Sequence, residues 1–496
     1  MPDPSLLLHA LTSFDTWLYV LLGVGLGVIF GSLPGFTATM GLAVLTPFTF
    51  WVETDQALAM LLGLLVSAVF SGGIPAILLN TPGTPASIAL AWDGYPMARA
   101  GRAGFALGLN AIAAFFGIVV SLVVLWAAAL PLTRVALQFG PAEYFAVAAF
   151  GISTMVGVSQ GALGKGLAMG ALGLLLATVG LDAITGYPRY TFSQPELLDG
   201  ISFIAVMVGL FGIAEVLMQM AGPPRPREAA PVAFTGILPT WTDVRRLITP
   251  ALSGSGIGVW IGLLPAAGAD VGAIIAWDQS RRMSRTPEQF GKGSAEGIVA
   301  ASTGANAGIG GSLVTTLALG IPGDSAAAVL IGALLMHGLQ PGPLLFRNRP
   351  DLVATVVALV FMAAVVTVIW GLLGARVLSH LLRIRDEYLW ACVLAISLVG
   401  TYALNQSVGD VWTAVVAGIV GYGLRRHDFP MGPLVLALIL GPMAESNLRR
   451  ALALSEGSVT TFVTRPISLL FLVLTVLTLL WPLIRKDKRA VETHEI

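Results

Sequence analysis

The sequence predicts an all-α polytopic membrane protein made of two inverted-topology repeats, each with a re-entrant hairpin and a broken helix. Three observations predict it. Of the 496 residues, 56% are hydrophobic and only 11% are charged, where a soluble domain carries about 25% charged residues. Apolar runs approaching or exceeding the roughly 20 residues that cross a bilayer recur along the whole chain. Short motifs of the first half also return in the same order in the second.

The runs are Phe14 to Phe30, Ala103 to Leu130, Tyr144 to Val158, Gly166 to Ile184, Ile201 to Met220, Leu352 to Leu373, Leu389 to Ala403, Val411 to Tyr422 and Ile467 to Ile484. The opening segment MPDPSLLLHALTSFD holds no Lys or Arg. It therefore lacks the basic start of a cleavable signal, and the first span is expected to be retained.

Next comes GSLPGFTATMG around Pro34, whose two arms, Trp17 to Ser32 and Thr37 to Phe50, are short for full spans. A hairpin that enters, turns at Leu-Pro and leaves on the same side fits them. IPAILLNTPGTPASIAL follows, with three prolines inside an apolar stretch. Proline removes a backbone donor and blocks the carbonyl four residues earlier. Inside a membrane the freed groups are tolerated only within protein or beside a water-filled cavity. Asn80 to Ser87 thus reads as an unwound tip that binds something.

The second half repeats the plan. GLLPAAGADVG around Pro265 echoes the first Leu-Pro motif, and GIPGDSAAAVL echoes NTPGTPASIAL. DEYLWACVLAIS echoes AEYFAVAAFGIS, and PMAESNL echoes GIAEVL, all at offsets of 230 to 244 residues. The chain divides into a first membrane repeat at 1–221, an exposed basic Pro-rich linker at 222–247, a second repeat at 248–464, and a C-terminal helix with basic tail at 465–496. The first Leu-Pro motif has flanks without Lys or Arg, whereas Arg225, Arg227, Arg245, Arg246, Arg281, Arg282, Arg285 and Lys292 flank the second. Basic flanks mark the cytoplasmic side, so the two copies are expected to be inverted. Arg485, Lys486, Lys488 and Arg489 place the C-terminus in the cytoplasm by the same rule.

Broken helices at matching positions of inverted repeats point to the binding site of a secondary transporter. The substrate-binding candidates are Asn80, Thr81, Pro82, Gly83, Thr84, Pro85 and Ser87 at one tip, with Gly320, Pro322, Gly323, Asp324 and Ser325 at the other. The hydroxyls and amide can donate to a carboxylate. Pro34, Gly35, Thr37, Thr39, Pro265, Gly268, Asp270 and Asn306 are the candidates for ion binding or gating. An aspartate at a helix centre costs roughly 2.5 to 3.5 kcal/mol on insertion, so such acids commonly mark ion or substrate paths. Na+ could lie at Asp270 or Asp324, where carboxylate and free carbonyl oxygens suit a hard cation. Capping of the following helix is the rival role for both.

Other features read as structural. Asp93-Gly94-Tyr95-Pro96 looks like a solvated turn at the membrane edge, with partner docking as its rival. His337 looks like an interfacial hydrogen bonder, and Arg383, Arg385, Arg425 and Arg426 look like positive-inside anchors. The single cysteine, Cys392, excludes an internal disulfide and is expected to pack in its helix. No transition-metal motif is present, and balanced charge gives no reason to expect nucleic acid. An enzyme is disfavoured: no histidine lies clearly in a helix core to serve Ser255, and no facing pair of acids is evident.

The stretches IPAILLNTPGTPASIALAWDGYPMARAGRAGFALG, FGKGSAEGI and GGSLVTTLALGIPGDSAAAVLIGALLMHGLQPGPLLF resemble the large membrane subunit of tripartite tricarboxylate transporters, the TctA-type family. The similarity runs over essentially the whole chain. It implies an inner-membrane secondary transporter for carboxylates such as citrate, working with a small TctB-type membrane subunit and a periplasmic TctC-type binding protein. It also implies an ion gradient as driving force, usually sodium, and no further cofactor. A stand-alone symporter without obligatory binding protein is the alternative. The chain departs from the family at Ala266, where glycine is common, at Ser302 and Ala305, where an acid and an asparagine are usual, and at Asp324, where a small neutral residue is usual.

Overall fold

The computed structural model describes residues 13–33, 35–136, 138–157, 163–182, 185–222, 237–265, 268–342, 345, 348–349, 351–373 and 386–484. Pro34, Arg383, Arg385, most of the Pro-rich linker and the basic tail lie outside the described residues. Six helical segments are long and apolar enough to cross a bilayer among those described, and several shorter apolar helices accompany them.

The first half runs α1 (Phe14–Ser32), α2 (Ala38–Thr49), α3 (Thr54–Ser71), α4 (Gly73–Leu79), a 3-10 turn (Pro85–Ser87), α5 (Ile88–Met97), α6 (Ala103–Ala136), α7 (Pro141–Gly157) and α8 (Leu163–Ala177). A two-stranded antiparallel ribbon, β1 (Gly180–Leu181) with β2 (Pro188–Arg189), precedes α9 (Phe203–Met207), a π-helical turn (Val208–Ile213) and α10 (Ala214–Ala221). The run expected from Gly166 to Ile184 therefore stops at Ala177. A ribbon takes over where Gly180 adopts a φ of +116°.

The second half runs α11 (Trp241–Gly262), α12 (Gly268–Met283), α13 (Ala295–Leu319), α14 (Ser325–Met336), α15 (Leu352–Leu373), α16 (Asp386–Asn405), α17 (Val408–Arg426) and α18 (Gly432–Leu454). The short α19 (Thr461–Thr464) and α20 (Pro466–Ile484) end the described chain. The expected linker is shorter than 222–247. Thr240 and Asp243 form a reciprocal capping box that starts α11 at Trp241.

The two halves match element for element: α1 and α2 with α11 and α12, α3–α4 with α13, α5 with α14, α6 with α15, α7 with α16, α8 with α17, and α9–α10 with α18. Glycines carry the register. Gly23, Gly27 and Gly31 of α1 lie against Met60, Leu64 and Ala68 of α3, so closely that a methyl group would meet backbone at 2.1 to 2.4 Å. Gly254, Gly258 and Gly262, each 231 residues later, meet Ala300, Gly304 and Gly308 of α13 in the same way. Small residues every fourth position let backbones approach, and dispersion then replaces the hydrophobic drive that lipid cannot supply. Gly258→Ala would set a Cβ 2.3 Å from the Gly304 carbonyl oxygen. It is expected to cost about 1 to 3 kcal/mol by overpacking, read as a lowered unfolding temperature in detergent.

Contacts between helix ends fix the direction of each crossing. At one end Lys165 donates to the His427 carbonyl, Arg425 pairs with Glu215, and Arg246 pairs with Glu296. At the other, Glu143 pairs with Arg465, Arg189 with Glu445, Arg349 with Asp55, and His337 bonds Thr49. Following the chain between these ends, each hairpin returns to its starting side and the next five segments cross. An odd number of crossings delivers the second half upside down.

The halves differ most in how the return arm is seated. Helix α2 divides its packing among α3, α14, α16 and the π-helical turn, whereas its counterpart α12 packs chiefly on α13 and α11.

Candidate functional site

Both broken helices end in the same way. Asn80 closes α4 with a left-handed φ of 56°, and Gly320 closes α13 with a φ of 69°. In each case the next amide reaches back six residues, Thr81 to the Pro75 carbonyl and Ile321 to the Thr315 carbonyl. That double closure satisfies carbonyls otherwise orphaned at a helix C-terminus. A tight extended link then leads to a new helix, started by Pro85 in the first half and by Asp324 in the second.

Asp324 Oδ1 accepts the Ala327 amide at 2.8 Å, capping α14. Thr37 Oγ1 likewise accepts the Met40 amide at the start of α2. Close approach requires glycine in the first link and beside the Asp324 cap. A Cβ on Gly83 would lie 2.1 Å from the Gly31 carbonyl oxygen, and one on Gly268 would lie 2.5 Å from the Asp324 Cβ.

Four tips, two from each half, open onto one cavity of about 190 Å³. It is lined by Thr37 and Thr39, by Thr84 and Pro85, by Asp270, and by Asp324 and Ser325. Each is the N-terminal end of a helix or 3-10 turn, where unpaired amides give a positive potential. The structure thus gathers these seven candidates. It also brings Asp270 and Asp324 to the same cavity, a pair of acids that spacing along the chain does not reveal. Both carboxylates lie deep in the protein yet keep partial exposure to the cavity.

Other candidates shape the tips rather than line the cavity. Ser87 Oγ donates to the Thr84 carbonyl at 2.7 Å and accepts the Thr84 amide, so it is spent locally. Asn80, Thr81, Pro82, Gly83, Gly320, Pro322 and Gly323 form the links. Gly35 and Pro265 form the hairpin turns, with the Gly35 carbonyl accepting from Gln219 Nε2 at 3.3 Å. Asn306 sits within α13, its Nδ2 donating to the Ser302 carbonyl while Ser302 Oγ donates to the Asn110 carbonyl of α6. The family departure at Ser302 and Ala305 therefore falls at a helix interface, not in the cavity.

Among the other residues that line the cavity, four matter to its chemistry and shape: Ser312, Phe211, Glu215 and Arg425. Ser312 and Phe211 present too little pattern in sequence to be singled out. Glu215 and Arg425 pair across the halves at the cavity. Arg425 is thus no simple membrane anchor, and the recurrence of Glu215 as Glu445 was the available signal. Thr84 Oγ1 and Ser312 Oγ are buried without a hydrogen-bond partner among the described residues. Unsatisfied hydroxyls beside a cavity suit a ligand better than an empty site.

Asp93 also departs from expectation. It lies in α5, fully buried, not in a solvated turn. Its Oδ2 accepts Trp277 Nε1 at 2.7 Å, and its Oδ1 accepts the amides of Gly291, Gly293 and Ser294 at 2.8 to 3.1 Å. Helix α5 of the first half is thereby tied to the loop between α12 and α13. Cys392 is exposed on α16 instead of packed.

Broken helices whose N-termini meet in a two-repeat membrane bundle are an arrangement that recurs among membrane transporters. The chain belongs to the tripartite tricarboxylate transporter TctA family, whose model matches residues 17–436. It is 36% identical over 452 residues to an Agrobacterium vitis protein described as "Uncharacterized 52.8 kDa protein in TAR-I ttuC' 3'region", covering 91% of this chain and 89% of that one. A second Agrobacterium vitis protein, "Uncharacterized protein in TAR-II ttuC' 3'region", is 32% identical over 211 residues, 42% of this chain and 87% of that relative. No solved structure matches.

Proposed function

We propose that this protein is the large transmembrane subunit of a binding-protein-dependent, ion-coupled transporter that imports tricarboxylates or related carboxylates, with sodium as the driving ion. Convergence of the four tips on one cavity carries the reading. Helix N-termini and the hydroxyls of Thr37, Thr39, Thr84 and Ser325 supply donors for an anion. Asp270 and Asp324 supply hard oxygen ligands, and two carboxylates sharing a cavity are relieved of their repulsion by a cation between them. Anion and cation then neutralise one another in a site neither would occupy well alone.

The orientation follows from charge. Arg99, Arg102, Lys165, Arg245, Arg246, Arg281, Arg282, Arg425 and Arg426 fall at the end where α10 finishes and α11 begins, which the positive-inside rule assigns to the cytoplasm. The C-terminus of α20 lies at that end, and the membrane is the bacterial inner membrane. A small TctB-type subunit and a periplasmic TctC-type binding protein complete the system.

The test is uptake of labelled citrate and other di- and tricarboxylates into proteoliposomes holding the chain and its small subunit, with the binding protein added, under separate sodium and proton gradients. Uptake driven by the sodium gradient and dependent on the binding protein is expected. Uptake indifferent to the binding protein would favour a stand-alone symporter, and uptake indifferent to both gradients would remove the coupled mechanism.

A further inference from the structure

We infer that Arg425 is a substrate-binding residue of this cavity, held in reserve by Glu215 and handed to a substrate carboxylate when one arrives. The inference rests on the carboxylate-transport reading above and assigns a ligand to it. Among the described lining residues the charged groups are three carboxylates, Glu215, Asp270 and Asp324, and one guanidinium, Arg425. An anion entering such a cavity has one full positive charge to meet, and Glu215 holds it at 2.5 Å.

Glu215 is positioned to let go. Its Oε1 also accepts Gln219 Nε2 at 2.7 Å, so the carboxylate keeps a donor after the guanidinium leaves. That same Nε2 lies 3.3 Å from the Gly35 carbonyl at the turn of the first hairpin. Exchange at Arg425 is therefore felt at a tip of the site. The Arg425 side chain is 32% exposed against 9% for Glu215, as suits a mobile capture group beside a fixed counter-ion. A guanidinium is also the side chain whose planar fork matches a carboxylate with two parallel bonds.

The repeat provides an internal comparison. Glu445 is the counterpart of Glu215, and it too takes an arginine from the other half, Arg189, at 2.7 and 3.1 Å. There the pair is closed by a second set of charges. Arg189 also meets Asp182, and Arg449 bridges Asp182 and Glu445. That network borders a separate cavity of about 410 Å³ that includes none of the broken-helix tips. Each of those four charges has two opposite partners, whereas Arg425 has a single carboxylate partner among the described residues and faces the site. One pair is a strut; the other is exchangeable.

The experiment measures KM and Vmax for citrate, or for the best transported member of the same carboxylate panel, in the reconstituted complex. Arg425→Gln is expected to raise KM roughly 10- to 100-fold, the loss of one charge-assisted double contact. Arg425→Lys keeps the charge without the fork and is expected to fall between that variant and wild type. Glu215→Gln frees the guanidinium and is expected to lower KM. An unchanged KM in both Arg425 variants, or a Glu215→Gln KM raised as far as that of Arg425→Gln, would make the pair purely structural and overturn the inference. Should Arg425→Gln not assemble, the opposite signs expected of Arg425→Lys and Glu215→Gln decide alone. A wild-type complex that moves no carboxylate would overturn the proposed function and this inference together; normal wild-type uptake with an unmoved KM overturns this one only.

Discussion

Replacing Asp93 by alanine is expected to cost roughly 3 kcal/mol or more of stability, the largest loss among the substitutions considered. Four donors end on this one carboxylate: an indole N–H and three backbone amides, all from the second half of the chain. Removing it leaves them in a pocket that a fully buried side chain has vacated, with each unpaired donor worth about 1 to 3 kcal/mol if it stays dry. Thermal unfolding of the purified protein would read the loss. Asparagine separates geometry from charge. Its oxygen can keep the three amides, but its amino group would face Trp277 Nε1 donor to donor. Asp93→Asn alone should therefore unfold earlier than wild type, and adding Trp277→Phe should recover part of the difference. A double variant no more stable than the single one would place the strain elsewhere.

Asp324→Asn is expected to weaken the apparent affinity for the coupling ion roughly 10- to 100-fold, the scale of losing one charged partner, while the fold survives. Asparagine caps a helix about as well as aspartate, so the bond to the Ala327 amide is kept and only the charge is lost. Alanine removes both, and its unfolding temperature should also fall by the equivalent of about 1 kcal/mol. Uptake measured against sodium concentration distinguishes the two roles. If the asparagine variant keeps the wild-type sodium dependence and only alanine harms the protein, Asp324 serves as a cap and not as a ligand.

Much of this architecture was legible because lipid leaves the backbone few options. Proline and glycine inside apolar runs at Asn80 to Ser87 and Gly320 to Ser325 had to mean broken helices, and the offset that aligns them also aligns the left-handed closures at Asn80 and Gly320. The glycine triplets that begin at Gly23 and Gly254 went unremarked in the sequence, although a glycine every fourth residue is a signal for close helix contact. What sequence did not reveal was distance. Asp270 and Asp324 are 54 residues apart, and nothing local says that they share a cavity. Asp93 resembled a turn because Asp-Gly and Tyr-Pro are turn-forming pairs, yet the partners that bury it arrive almost 200 residues later. Ser87 shows the converse. Its chemistry suited a ligand, but a local backbone bond, the ordinary fate of a serine after a helix start, claimed it first.

The unequal seating of the two return arms has a further meaning. Helices α2 and α12 come from the same repeated motif, yet α2 spreads its packing over its own α3 and over α14 and α16 of the other half, while α12 keeps chiefly to its own hairpin and α13. A single chain thus displays, side by side, two postures of one device. Were the halves to trade postures, each return arm would take up the kind of seating its twin already shows, and the new form would be related to the old by a half-turn about an axis in the bilayer plane. A change of access from one side of the membrane to the other is then expected to be a trade between two seatings that one chain already displays.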